Sequence, residues 1–201
     1  MVQPDPCAAG GRHGLSWPTD GTTGIVAART AEFMASAKAL GVDKVVNFKV
    51  VDDGFASTPA CDELVDRIDA QARALAAQYP GASHKFTAGW LEHTETHMAC
   101  SDVAHRLMND GTISDVRFHH VHAYGRPREE RANGAAYVLN IPGSHTWTKG
   151  NAIYACNTWD PGRNLYALGH HGVPEPLEAA HADPRESVHA LPSDHRPGKG
   201  N

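Results

Sequence analysis

The chain predicts an α/β (or α+β) fold: a mixed sheet of about six strands, three helices in the N-terminal half and an antiparallel meander in the C-terminal half. Three observations predict it. Long segments of helical periodicity alternate with short β-branched runs up to about residue 125. Beyond that point only strand-like runs follow one another, separated by turn residues. Finally, glycine and proline sit where the helices must stop. Alternating helices and strands imply crossovers onto a parallel sheet, whereas consecutive strands imply antiparallel pairing.

Residues 1–21, rich in Pro, Gly and Asp, form an irregular arm. A helix is expected over 23–40, with Ile25, Ala28, Phe33 and Leu40 as its apolar face and Gly41 just past its end. "KVVNFKVV" (44–51) is apolar on both faces and fits a central strand. The segment 60–81 is a second helix, striped by Leu64, Ile68, Ala72 and Leu75 and stopped by Pro80-Gly81. Strand 84–90, a helix over 91–109 and strand 114–125 come next, followed by the charged loop "RPREERANG". Strands at 135–141, 151–159 and 164–170 complete the set, the last two joined by the tight turn "DPGRN". A single globular domain over 22–172 is expected. From residue 173 the chain is punctuated by proline and poor in apolar residues, which fits a disordered tail over 173–201 whose histidines, His181, His189 and His195, do nothing structural.

Composition narrows the function classes. A chain of 201 residues with 41% hydrophobic residues can bury a substantial core. A net charge of −5 gives no overall attraction for phosphate backbones, so nucleic acid is not the expected partner. No apolar run approaches the roughly 18 residues that a membrane span needs, and the start lacks the pattern of a secretory signal. A cytoplasmic protein is the expectation. Four scattered cysteines with no C-x-x-C read as free thiols rather than a disulfide framework.

Histidine is the outlier: there are 14, where ordinary usage near 2% gives about four or five. Two pairs stand at ligand spacing. "LEHTETHMAC" (91–100) holds His93 and His97, one turn apart on a helix. Counting roughly 100° per residue from Cys100, Val103, Ala104 and Leu107 fall within about 60°, His93 near 20° and His97 near 60°. Both histidines therefore share the buried face with Cys100. Glu95 falls near 220° on the same count, almost opposite, which leaves Glu92 as the acid beside the pair. In "VRFHHVHAY", strand alternation sets His120 and His122 on one surface. At this histidine frequency about one pair of each spacing arises by composition alone, so placement in adjacent elements carries the assignment.

Imidazoles in such pairs suit zinc, copper, iron or nickel. The expected function is accordingly a metal-dependent hydrolase, with zinc as the divalent ion and a small polar molecule as substrate. His93, His97, His120 and His122 are the ligands. Glu92 handles protons, with His145 as a reserve acid. Two alternatives stand beside it. One is a metal-independent nuclease or phosphodiesterase using His119, His145 and the cations Arg117, Arg126, Arg128, Arg131 and Lys149. The other is a non-enzymatic structural or interaction protein. His93-Thr94-Glu95 also spells the H-x-E of zinc deaminases, but the P-C-x-x-C they require is missing. Cys156 reads as a core residue in a strand rather than a nucleophile. No Walker A, G-x-G-x-x-G or G-x-S-x-G motif occurs.

Overall fold

The structure, a computed structural model, describes residues 22–50, 62–92 and 94–197. It divides into two compact units, each assembled from separated stretches: one from 1–45 and 141–184, the other from 46–140 and 185–201. Among the described residues there are six helices, a four-stranded mixed sheet and a two-stranded ladder. None of the helices is long and apolar enough to cross a membrane. The mixed α/β character matches expectation; the number and placement of strands differ.

The first unit begins with α1 (Thr22–Ala39). Its inward face is not the expected one. Ile25, Phe33 and Leu40 are exposed, whereas Ala28 and Glu32 are completely buried. Glu32 is the organising group of this unit: its carboxylate accepts the N–H groups of Leu168 (2.6 Å) and Gly169 (2.9 Å) and a bond from Arg29 (2.6 Å).

The second unit contains α2 (Asp62–Gln78), β1 (His84–Thr87), a 3₁₀ turn at Gly89–Leu91, α3 (Glu95–Asn109), β2 (Val116–His119), a second 3₁₀ turn at Val121–Gly125 and β3 (Tyr137–Leu139). Helix α2 follows its predicted stripe, with Leu64 buried and Ile68 and Ala72 against the core. Its first turn carries Asp62 and Glu63, which complement the helix dipole. The core gathers Leu64 and Val65 with Met98, Val103 and Leu107 of α3 and Phe118 of β2. Trp90 meets the Phe118 ring edge-on at 5.0 Å.

Several elements depart from the sequence expectation. The strand at 44–51 does not form over its described residues, 44–50. Asn47 Oδ1 accepts the Lys49 N–H at 2.8 Å, a side-chain turn that competes with a ladder, and Lys49 takes a φ of 52°. The expected strand 151–159 is instead the end of α4 (Gly143–Ala155). Ala152 and Ala155, three apart, are buried there, and α4 packs against α1. Cys156 caps that helix rather than lying in a strand. The turn "DPGRN" does join two strands, β4 (Trp159–Asp160) and β5 (Leu165–Tyr166), but both are short. Ala167, at φ 54°, ends the second, and α5 (Leu168–Gly172) follows.

The stretch expected as a disordered tail carries α6 (Pro174–Ala182) and β6 (Glu186–His189). Its histidines are engaged. His181 stacks on Tyr154 at 4.7 Å, and Nε2 of His195 meets the buried carboxylate of Asp102 at 3.1 Å. Sheet order is β1-β2-β6-β3, with β1 and β2 parallel and β6 antiparallel to both its neighbours. The last described strand therefore separates β2 from β3, and the expected meander is not formed among the described residues.

The parallel pair positions the site. Register runs from His84 opposite Val116 to Thr87 opposite His119, with α3 as the crossover. Both strands end at one edge, which delivers residues 88–92 and 120–122 to the same place. Such carboxyl ends are where open α/β sheets put ligands. Ser101 fixes the first turn there. Its Oγ donates to the Thr87 carbonyl (2.8 Å) and accepts the Gly89 N–H (2.7 Å).

Gly89 sits so close to α3 that a Cβ there would lie 2.2 Å from the carbonyl oxygen of His97. Gly89→Ala is expected to cost at least about 3 kcal/mol, because backbone must move. Gly125→Ala, with nothing within 4 Å of its Cβ position, is expected to stay within about 1 kcal/mol of wild type. Urea unfolding of the two variants checks the contrast.

Candidate metal centre

Helix α3 begins at Glu95, four residues later than the sequence suggests, after Thr94 in an extended conformation. Glu92 is consequently not on the helix. It follows the 3₁₀ turn, and its side chain is fully buried. Likewise β2 stops at His119, so His120 and His122 do not alternate on a strand. His120 precedes the second 3₁₀ turn and is buried, whereas His122 lies within that turn and is exposed.

Glu92 draws these segments together. Its Oε2 accepts a bond from Nδ1 of His97. Its Oε1 accepts the backbone N–H of Val121 and, at 3.2 Å, that of His122. The rings of His97 and His122 lie 5.5 Å apart between centroids. One ligand atom from each of Glu92, His97 and His122 falls within 4.8 Å of the others. Bonds of roughly 2 Å to one ion bring two donors within about 4 Å of each other.

Electrostatics follow from the same contacts. Burial pushes the Glu92 carboxyl up, but the hydrogen bond and charge of His97, with the His122 N–H, outweigh it and hold the group below the usual carboxylate range. Glu92 is an anion at neutral pH. Burial drives His120 the other way, down to about 4, so that ring is uncharged. His189 is lowered for the same first reason. The Cys100 thiol is raised by burial, more than its contact with Thr87 lowers it.

Of the four expected ligands, the structure brings His97 and His122 together and turns His120 into the protein, where its ring meets His189 at 5.7 Å. His93 lies outside the described residues. Glu92 stands among the candidate ligand atoms, not merely beside them. Glu95 is buried rather than facing away, with neither carboxylate oxygen hydrogen-bonded. His145 is exposed on α4, in the first unit. The groups of the nuclease alternative are dispersed. His119 lies 3.8 Å from Glu186, Arg117 pairs with Asp115 at 2.7 Å, and Lys149 donates to the Pro184 carbonyl in the first unit. Sequence reasoning placed His189 in a disordered tail and gave it no structural role, whereas it ends β6 and is buried. Its only local signal is the β-branched Val188 in the short run "ESVH" between Pro184 and Pro192.

Scans against protein-family models, curated proteins and solved structures found no match.

The His120 shift predicts a pH dependence. Between its unfolded value of 6.5 and its folded value of about 4, the unfolded chain binds the extra proton. Stability therefore falls as pH drops through that window, by on the order of 3 kcal/mol. His120→Gln is expected to flatten the dependence between pH 6.5 and 4, measured by urea unfolding with a chelator present.

Proposed function

We propose that Glu92, His97 and His122 hold one divalent transition-metal ion, zinc in the first instance, and that the protein is a metal-dependent hydrolase for a small polar substrate. The observation that carries this is the convergence of one buried carboxylate and two imidazoles within 4.8 Å at the carboxyl ends of a parallel strand pair. Three protein donors of these types leave a fourth position open, the pattern of catalytic rather than structural zinc sites. A bound divalent ion supplies a Lewis acid that acidifies water and polarises a carbonyl or phosphoryl oxygen.

The chain's own residues set the conditions for that chemistry. Glu92 is fixed by two backbone N–H groups on Oε1, which leaves Oε2, now accepting from His97 Nδ1, as the oxygen that would turn to the ion when that proton is displaced. One carboxylate and two neutral imidazoles only partly neutralise a divalent charge, so the ion keeps its Lewis acidity. His122 is the solvent-facing member, and substrate enters from its side. Glu92 acts as a ligand in this arrangement, not as the general base that its sequence neighbourhood suggests. The same donor set suits ferrous iron, and elemental analysis of protein purified from cells tells the two metals apart.

The expected result is one equivalent of zinc bound per chain by calorimetry. His97→Ala and His122→Ala each weaken it about 100-fold or more, and Glu92→Gln at least about tenfold. Hydrolysis of activated ester or phosphate probes falls to background with chelator and returns with zinc. A folded protein that takes up no zinc, or binds it equally well in all three variants, contradicts the assignment.

A further inference from the structure

Beyond that cluster, the same unit holds four imidazoles with a buried nitrogen left unbonded, those of His84, His120, His189 and His195, and two of these rings, His120 and His189, are neighbours. His120, 5% exposed, follows β2, and His189, 4% exposed, ends β6. Nε2 of each is shielded from solvent and has no hydrogen-bond partner. Buried polar atoms are hydrogen-bonded in the large majority of cases, so two exceptions on neighbouring rings call for one common explanation. The rings lie 5.7 Å apart between centroids, with their planes at 75°. Nδ1–H of His189 donates to the Gly134 carbonyl at 3.1 Å, which leaves the lone pair on its Nε2. A carbonyl partner of this kind is how metal-ligating histidines are oriented.

We propose that His120 and His189 form a two-histidine site for a soft monovalent cation, copper(I). With metal–nitrogen bonds of roughly 2 Å and a ring radius of about 1 Å, two imidazoles on opposite sides of one ion have centroids about 6 Å apart. The observed 5.7 Å matches this span. Crossed ring planes are no obstacle, because each ring turns freely about its own bond to the ion.

Donor count and charge select the ion. Among the described residues no third His, Cys, Asp or Glu donor joins the pair. Zinc takes four donors, whereas copper(I) is satisfied by two imidazoles in line. Glu92 acts on His120 with a negative charge, whereas Arg126 acts on both rings with a positive one. A single positive charge costs less to bury there than a double one. The copper is held and not turned over.

The test uses the full chain carrying His97→Ala and His122→Ala, which removes the Glu92 cluster, titrated anaerobically with copper(I). One equivalent is expected, with the X-ray absorption edge of a two-coordinate ion and a first shell of imidazole nitrogen alone. Adding His189→Phe is expected to lower affinity at least tenfold in protein shown to be folded by circular dichroism. If that variant does not fold, the absorption spectrum of the parent decides by itself. No uptake, a sulfur-containing shell that traces copper to the cysteines, or unchanged affinity in a folded His189→Phe protein overturns the proposal.

Discussion

The second unit depends on one interaction: a buried glutamate that binds the start of a helix and the turn after a neighbouring strand at the same time. Removing a carboxylate from water is costly unless its oxygens are fully engaged. Glu92 meets that condition with Val121 and His122 on one oxygen and His97 on the other. Every local feature around it serves this placement. Parallel pairing brings the two strand ends side by side. Gly89 and Ser101 let the chain turn tightly against α3, and the delayed start of that helix leaves Glu92 free to fold back over its first turn.

The first unit uses the same device with a different outcome. Glu32 also accepts two consecutive backbone N–H groups, those of Leu168 and Gly169, together with a basic side chain. There the basic partner is Arg29, which keeps its charge and offers no lone pair. At Glu92 the partner is His97, whose ring can exchange a proton for a metal ion, and a second imidazole stands beside it. A permanent cation makes the arrangement purely structural; a ring with a lone pair is what the proposed ligand chemistry rests on. The surrounding histidines divide along the same line. Solvent-facing His122 is free to move onto a ligand, whereas buried His120 is locked against His189.

How much of this was legible in the sequence depended on the length of the element. Helices α1, α2 and α3 are long, the last two are periodic, and their stops are marked by Gly41, Pro80-Gly81 and the "NDG" turn. The strands are only two to four residues each, too short for alternation to distinguish them from a helix or a turn. Small residues misled most: Ala152 and Ala155 read as part of a β-run but are the buried face of α4. In α1 the large apolar residues point outward while a glutamate points in, an inversion that hydropathy cannot anticipate. For the site, the histidine spacings paired His93 with His97 and His120 with His122, and Glu92 was expected to handle protons; the structure instead sets Glu92 beside His97 and His122. The strand assumption nevertheless paired His122 with His120, because nothing local announces that β2 ends at His119. The role of the C-terminal segment is set by tertiary pairing of β6 between β2 and β3, which composition does not encode.

The central claim, that Glu92 gathers His97 and His122 into one ion site, is tested most directly by nitrogen-15 spectroscopy of the histidine rings during addition of zinc. The ring nitrogens of His97 and His122 are expected to move together to metal-bound positions, complete at one equivalent, while those of His119 and His145 stay in place. Glu92→Gln should uncouple the two responses. Movement of other histidines instead, or gradual shifts spread across many rings with no end point at one equivalent, would contradict it.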